Sequence, residues 1–191
     1  MNLPNMLTMS RFFLAIVFVV LLDRNSFWAT IFAATVFTVA AVTDLLDGYF
    51  AKKHGLITDF GKIMDPIADK FLILAAFFVF VQMGLVQGWM VLLIFIREVV
   101  VTLSRVMCLR RGQVIAAEKA GKIKTVFQIV CVGVALLFLI LEKSHFARDW
   151  SASVENGWVV LINLLMFVTV LLTVNSGVSY FLNLRKSTAR S

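Results

Sequence analysis

The sequence predicts an all-α integral membrane protein: one domain over residues 1–191, with a six-transmembrane-helix bundle and a short N-terminal segment at the membrane interface. Two observations lead to this prediction. Of the 191 residues, 61% are hydrophobic and 15% are charged, whereas soluble domains are roughly 45–50% apolar and about 25% charged. The apolar residues also form continuous runs of helix length, which favours helices over strands.

Six apolar runs are long enough to cross about 30 Å of hydrocarbon as helices. Polar residues separate them, beginning with Asp23–Asn25 after the first run and Lys52–His54 after the second. Further breaks follow at 82–88, at 110–112 and at 142–156. The predicted spans cover residues 6–22, 27–51, 63–83, 89–110, 121–141 and 155–183.

Basic residues predict the orientation of these spans. If the N-terminus is cytoplasmic, 15 of the 18 lysines and arginines lie at or towards the cytoplasmic side, and only Arg24, Lys143 and Arg148 lie outside. Cytoplasmic loops are enriched in basic residues, so both termini are expected on the cytoplasmic side of the membrane. The net charge of +7 is attributed to these loops and to anionic lipid rather than to nucleic acid.

Four aspartates converge at one depth of the predicted bundle. Asp44 and Asp47 fall in the last turns of span two, and Asp65 and Asp69 near the start of span three. Spacings of three and four residues place each pair on one helix face. Facing carboxylates would repel one another unless cations neutralised them, and hard divalent ions favour oxygen ligands. The pattern therefore predicts two divalent ions, Mg²⁺ ahead of Mn²⁺, acting on phosphate.

Other interpretations of these carboxylates remain. They could form salt bridges with neighbouring lysines at the interface, or they could serve a cation transporter as an ion pathway. Transport predicts carboxylates spread through the depth of the membrane, whereas these cluster at one end. A membrane scaffold gives no reason for four clustered carboxylates beside Gly48 and Gly61.

The same stretch resembles the signature of the CDP-alcohol phosphotransferases. It reads Asp44-x2-Asp47-Gly48-x2-Ala51-Lys52-x8-Gly61-x3-Asp65-x3-Asp69, and departs from the family only at Lys52, where arginine is usual. The resemblance implies six transmembrane helices, a homodimer, and two metals held by Asp44, Asp47, Asp65 and Asp69. It also implies that Asp69 accepts the proton of the incoming alcohol. The positions implied to contact the CDP-linked lipid are Leu3, Pro4, Asn5, Met6, Gly48, Lys52 and Thr58.

A second cluster, of basic residues, is predicted to bind the phosphate of the acceptor alcohol. Arg97 and Arg105 lie eight residues apart on roughly one face of span four, and Lys122 and Lys124 open span five. Arg97 sits well inside its span and needs a partner. Glu98 is adjacent in sequence, but the helical geometry predicts that it points elsewhere.

Three further segments resemble a narrower group of that family, the bacterial phosphatidylglycerophosphate synthases. The segments are Asn2-Leu3-Pro4-Asn5-x-Leu7-Thr8-x2-Arg11, Arg97-Glu98 with Arg105, and Gly121-Lys122-x-Lys124-Thr125. This resemblance implies transfer of a phosphatidyl group from CDP-diacylglycerol to sn-glycerol 3-phosphate. A cardiolipin synthase, or a relative with a different acceptor, is the alternative. Asn163, Asn175 and Ser176 in span six are expected to make hydrogen bonds between helices rather than to take part in catalysis.

Overall fold

The computed structural model describes the backbone of residues 3–54, 59–110, 119–144 and 150–188, and the side chains of residues 10–43, 70–108, 121–144 and 150–185. Over the described backbone the chain is helical apart from short turns, and these ranges contain no strand. The prediction of an all-α protein is therefore confirmed. The helices are α1 (Leu3–Asp23), α2 (Phe27–His54), α3 (Asp59–Gln82), α4 (Gly88–Arg110), α5 (Lys119–Glu142) and α6 (Ala152–Thr188).

The helix ends differ from the predicted spans at both termini. Helix α1 already begins at Leu3, so the predicted N-terminal segment forms the first turn of α1 instead of a separate element. Pro4 is compatible with this position, because amides in the first turn have no partner within the helix. Helix α6 has 37 residues and is roughly 55 Å long at 1.5 Å per residue, which exceeds the thickness of a bilayer core.

The turn between α3 and α4 depends on glycine. Gly84 has a φ of 73°, in the left-handed region that glycine adopts at little cost. Its amide donates to the carbonyl of Val81, and the amide of Leu85 donates to the carbonyl of Phe80. This pair of bonds is the Schellman arrangement that ends a helix. It allows α4 to return antiparallel to α3 after a short connection.

Small buried residues and aromatic rings form the core. Helix α1 packs on α2 and α3, helix α6 packs on α4 and α5, and α3 also contacts α4 and α5. Ala15, Ala33 and Ala76 are fully buried, and small side chains of this kind let helix backbones approach closely. Phe18 and Phe80 are also fully buried.

Two polar contacts bring parts of distant helices together at one end of the bundle. At one end of the bundle, the Lys143 ammonium after α5 donates to Thr30 near the start of α2 over 3.1 Å. At the same end, the Asn163 amide near the start of α6 donates to the Leu85 carbonyl over 2.8 Å. We call this end the apolar half, and the other, where α3 and α5 begin, the cavity half. The Asn163 amide thus joins α6 to the turn between α3 and α4 rather than to a second helix.

Two helical segments meet a strict length and hydropathy criterion for crossing a membrane. Within the described residues these are Gly121–Glu142 and Ala152–Arg185, and shorter apolar segments cover Phe27–Thr43 and Lys70–Gln82. Helix α4 carries Arg97, Glu98 and Arg105 along its length, and charges of this kind lower the mean hydropathy of a helix.

Candidate functional site

The four predicted metal ligands lie on the two helices expected from the sequence. Asp44 and Asp47 belong to α2, and Asp65 and Asp69 belong to α3. Their side chains lie outside the described residues, so their use as ligands stays a prediction. Among the side chains that the structure does describe, no group of three or more histidines, cysteines or carboxylates could hold a metal.

The residues predicted to bind the CDP-linked lipid also fall outside the described side chains. Leu3, Pro4, Asn5 and Met6 form the first turns of α1, and Gly48 and Lys52 belong to the last turns of α2. Thr58 lies in the segment 55–58, outside the described backbone. Their roles stay predictions.

A cavity of about 600 Å³ lies in the cavity half, and all six helices contribute to its walls. Among the described residues, its lining includes six basic side chains and one carboxylate, a formal excess of five positive charges. Such a space, partly apolar and strongly cationic, suits an anion with an organic part. The charged lining residues are Arg11, Lys70, Arg97, Glu98, Arg105, Lys122 and Lys124.

Glu98 is the centre of this charge cluster. Its side chain is only 2% exposed, and it accepts a hydrogen bond from the Lys124 ammonium of α5. The Lys70 ammonium of α3 lies 3.0 Å from the other carboxylate oxygen. Lys70 also donates to the Thr102 hydroxyl of α4. One carboxylate therefore joins three helices at the wall of the cavity.

Arg97 contacts one side chain of α4 and one of α6. The contact within α4 contradicts the expectation that Glu98 points away from Arg97. Its Nη1 lies 3.3 Å from Oε1 of Glu98, so the prediction that Glu98 points elsewhere is wrong. Neighbouring residues do leave a helix about 100° apart. The long arginine side chain nevertheless reaches back to the carboxylate, because both groups turn towards the same cavity.

The other partner of Arg97 comes from α6. Its Nη2 donates to the Ser176 hydroxyl over 2.8 Å, which confirms the interhelical role predicted for Ser176. Gly177 provides the space for this contact, because a Cβ there would lie 3.2 Å from Cγ of Arg97. The Arg97 guanidinium is thus held by Glu98 of its own helix and by Ser176 of α6.

The structure brings together all four residues predicted to bind an acceptor phosphate. Arg97, Arg105, Lys122 and Lys124 line the same cavity. Lys124 is buried and Arg97 is half-buried, whereas Arg105 and Lys122 are exposed. The first two therefore sit deep in the cluster and the second two at its surface. Their binding role stays a prediction, but their convergence is a property of the fold.

Sequence reasoning missed three charged members of the cluster. The sequence predicts a cytoplasmic location for Arg11 and Lys70 but no place in this cluster, and it predicts no contact between Glu98 and Arg97. All three line the cavity. A signal was present for Glu98, because a carboxylate within an apolar span is costly and calls for partners. Its pairing with Lys70 and Lys124, 28 and 26 residues away, required the packing of three helices.

The cavity is continuous with the helix faces that carry the aspartates. Ala40 and Ala41 of α2 line it, and they precede Asp44 by four and three residues. Leu72 and Ile73 of α3 line it as well, and they follow Asp69 by three and four residues. Residues at these spacings share a helix face. The backbone thus places positions 44 and 69 one turn beyond the cavity lining.

Comparison with known proteins identifies relatives along nearly the whole chain. The family model described as CDP-alcohol phosphatidyltransferase matches residues 1–175. A CDP-diacylglycerol–glycerol-3-phosphate 3-phosphatidyltransferase of Bacillus subtilis is 37% identical, covering 94% of this chain and 93% of the relative. A probable phosphatidylglycerophosphate synthase of Mycobacterium tuberculosis is 36% identical over 94% of this chain and 79% of the relative. A protein of Rickettsia typhi, named like that of B. subtilis, is 32% identical over 94% and 95%.

Proposed function

The chain belongs to the CDP-alcohol phosphatidyltransferase family, and we propose that it transfers the phosphatidyl group of CDP-diacylglycerol to sn-glycerol 3-phosphate, releasing CMP. The observation that supports this acceptor most directly is the cavity with five excess positive charges. It is one helical turn from the positions of Asp44 and Asp69. An acceptor held there by its phosphate would have its hydroxyl groups near the predicted reaction centre.

The charge of the cavity favours a phosphate monoester over other acceptors. Glycerol 3-phosphate carries close to two negative charges near neutral pH, since the second pKa of such esters is about 6. Inositol has no charge to match this lining. Phosphatidylglycerol, the acceptor of a cardiolipin synthase, carries one charge on a diester and must also place two acyl chains. The charge and size of the cavity therefore favour the small dianion.

The reaction needs charge neutralisation and a base. A hydroxyl of the acceptor attacks the phosphorus that carries the diacylglycerol, and the bond from this phosphorus to CMP breaks. Asp69 takes the proton of that hydroxyl, as a carboxylate within hydrogen-bond reach can do. Asp44, Asp47, Asp65 and Asp69 form an all-oxygen donor set that suits two Mg²⁺ ions, with Mn²⁺ as the second choice. Bound there, the ions would neutralise charge that develops on phosphate oxygens.

The donor lipid is assigned to the remaining predicted residues. Gly48, Lys52 and Thr58, with residues 3–6 at the start of α1, bind its CDP group. Lys52 supplies a positive charge to the pyrophosphate but lacks the two-pronged geometry of arginine. An interfacial site of this kind leaves the acyl chains in lipid while CMP departs to water.

We place all six helices across the bacterial membrane, with both termini and the site on the cytoplasmic side. Each helix has large apolar side chains that face outward, which is the expected surface of a helix in lipid. One example from each of α1 to α6 is Phe13, Phe32, Phe78, Leu92, Val126 and Leu164, with exposures from 57% to 66%. The excess of basic residues at the cavity half supports the orientation. A homodimer is the assembly we propose, from the family resemblance.

The test is CMP release by purified protein in detergent with CDP-diacylglycerol and Mg²⁺. Glycerol 3-phosphate, phosphatidylglycerol, inositol and no acceptor are compared. Release with glycerol 3-phosphate alone supports the proposal, and release with a different acceptor overturns the choice of acceptor. Asp69→Asn should lower kcat by at least about 1,000-fold, because it removes the base and one metal ligand. The isosteric change Asp23→Asn, at the far end of α1, is the matched control and should leave kcat unchanged.

A further inference from the structure

A buried carboxylate stands among the cations that are proposed to bind phosphate. Glu98 is 2% exposed and makes ion pairs with Lys124, Lys70 and Arg97. A carboxylate at the centre of a cationic cluster normally weakens the binding of an anion, because it competes with the anion for the same cations. Its presence therefore needs a separate explanation.

We propose that Glu98 is a positioning residue, which holds Lys70, Arg97 and Lys124 in the geometry that binds the acceptor phosphate and sets their combined charge. This inference rests on the proposed function, since it assigns the cluster to the acceptor. The three cations come from α3, α4 and α5. Glu98 is the group that all three contact, so it fixes the relative positions of nitrogen atoms on separate helices.

The other contacts of the cations agree with a fixed arrangement. Lys70 also donates to Thr102, and Arg97 also donates to Ser176 over 2.8 Å. Each of these cations is thus held at two points or more. Preorganised donors bind an anion more tightly than mobile ones, because less side-chain entropy is lost on binding. All four charged groups line the cavity, so the ligand can reach the ordered donors.

The charge of the cluster matches a phosphate monoester. Counted by formal charge, three basic side chains and one carboxylate give plus two, which equals the charge of a phosphate dianion in magnitude. Three cations without Glu98 would repel one another in a poorly solvated space and separate. Glu98 therefore lets three donors stand close together before the ligand arrives.

A role in stability alone is the competing explanation, and buried ion pairs are weak evidence for stability. Replacing such a pair with apolar residues of similar volume is often neutral or stabilising, whereas removing one partner is costly. The two explanations separate when both partners are removed. The double variant Glu98→Gln/Lys124→Met restores the formal charge of plus two but removes one of the phosphate donors, so it is measured beside the single variant Lys124→Met, which loses the same donor and keeps Glu98.

The experiment compares wild type, Glu98→Asp, Glu98→Gln and the double variant by melting temperature and by kinetics with both substrates. Glu98→Gln should raise KM for glycerol 3-phosphate by about tenfold or more, with KM for CDP-diacylglycerol within about twofold. Glu98→Asp should recover part of this loss. The double variant should regain the melting temperature but have a higher KM for glycerol 3-phosphate than Lys124→Met, because Lys70 and Arg97 have lost the carboxylate that positions them. The exposed Glu155→Gln, in the first turn of α6, is the matched control.

A normal KM for glycerol 3-phosphate in Glu98→Gln, or a KM in the double variant no higher than that of Lys124→Met, would overturn the inference. If Glu98→Gln does not fold, Glu98→Asp and the double variant decide the question by the same criterion. Stabilisation by inorganic phosphate alone gives a readout that does not need turnover, and it should be lost in Glu98→Gln. If wild type releases no CMP with glycerol 3-phosphate but this stabilisation depends on Glu98, the proposed function fails and the positioning role stands. If wild type is active with glycerol 3-phosphate and no Glu98 variant changes KM, the proposed function stands and the positioning role fails.

Discussion

The two halves of the bundle use different interactions to hold the same helices together. In the apolar half, rings fill the space between α5 and the start of α6: Trp150 stacks on Trp158 at a centroid distance of 6.4 Å, and Phe138 lies 6.0 Å from Trp158. In the cavity half, α3, α4 and α5 meet through the ion pairs of Glu98. Apolar packing tolerates an empty interior poorly, whereas charged groups can border a cavity that a ligand enters. The fold thus places aromatic packing at one end of the bundle and a charged cavity at the other.

The largest expected effect tests whether the apolar half contributes to stability without contributing to acceptor binding. Phe80 of α3 is fully buried, and Phe80→Ala should cost about 3–5 kcal/mol of folding free energy, since it leaves a cavity that the helices cannot close completely. The melting temperature in detergent measures this loss. At a temperature where the variant is folded, KM for glycerol 3-phosphate should stay within about twofold of wild type.

The control removes the same kind of ring from an exposed position on the same helix. Phe78→Ala removes an equally large ring that is 60% exposed, and it should alter the melting temperature far less in detergent. A large rise in KM for glycerol 3-phosphate from Phe80→Ala would contradict the separation of the two halves.

The next effect concerns Arg97 in the cavity half. Arg97→Lys keeps the charge but loses the second nitrogen that lets the guanidinium reach both Glu98 and Ser176. We expect kcat/KM for glycerol 3-phosphate to fall by about 10- to 100-fold, mainly through KM. The melting temperature should change little, because Glu98 keeps two cationic partners.

Arg24→Lys is the control for this substitution. Arg24 is exposed in the turn between α1 and α2, at the apolar half. Equal effects of the two substitutions on kcat/KM would show that Arg97 has no special place in acceptor binding.

The smallest effect tests how closely α6 must approach Arg97. In Gly177→Ala the new methyl group would lie 3.2 Å from Cγ of Arg97, so the arginine side chain must shift by a few tenths of an ångström. We expect KM for glycerol 3-phosphate to rise about threefold, with little change in melting temperature. Gly157→Ala on the same helix has open space around it and serves as the control. A normal KM in Gly177→Ala would show that the position of Arg97 tolerates this displacement.

The fold was largely predictable because its signal is local. Continuous apolar runs and polar breaks placed all six helices, and differences arose mainly at the ends. Helix α1 starts at Leu3 because a proline in the first turn does not prevent helix formation. Helix α6 runs from Ala152 to Thr188, beyond the predicted 155–183, because helix formation does not stop at the edge of the apolar run.

The aspartates and the basic residues of the candidate site were predicted from different parts of the chain, and only the basic residues have described side chains that test their convergence. The spacing of Asp44, Asp47, Asp65 and Asp69 is a property of two adjacent segments, so the sequence alone places these residues near the α2–α3 connection. The convergence of Arg97, Arg105, Lys122 and Lys124 was predicted from two segments further along the chain, and the cavity agrees with it.

The sequence by itself determined the class of the protein, the number and approximate limits of its helices, the aspartate pattern and the family. The first three depend on composition, periodicity and spacing along one or two segments, and the family rests on the resemblance of residues 44–69 to its signature. Only the tertiary structure decided that Glu98 joins Lys70, Arg97 and Lys124, and that Ser176 and Gly177 hold Arg97 from α6. The physical reason is that an ion pair between helices depends on their relative rotation and separation. Those quantities are set by packing over the whole bundle, and no short segment of the chain encodes them.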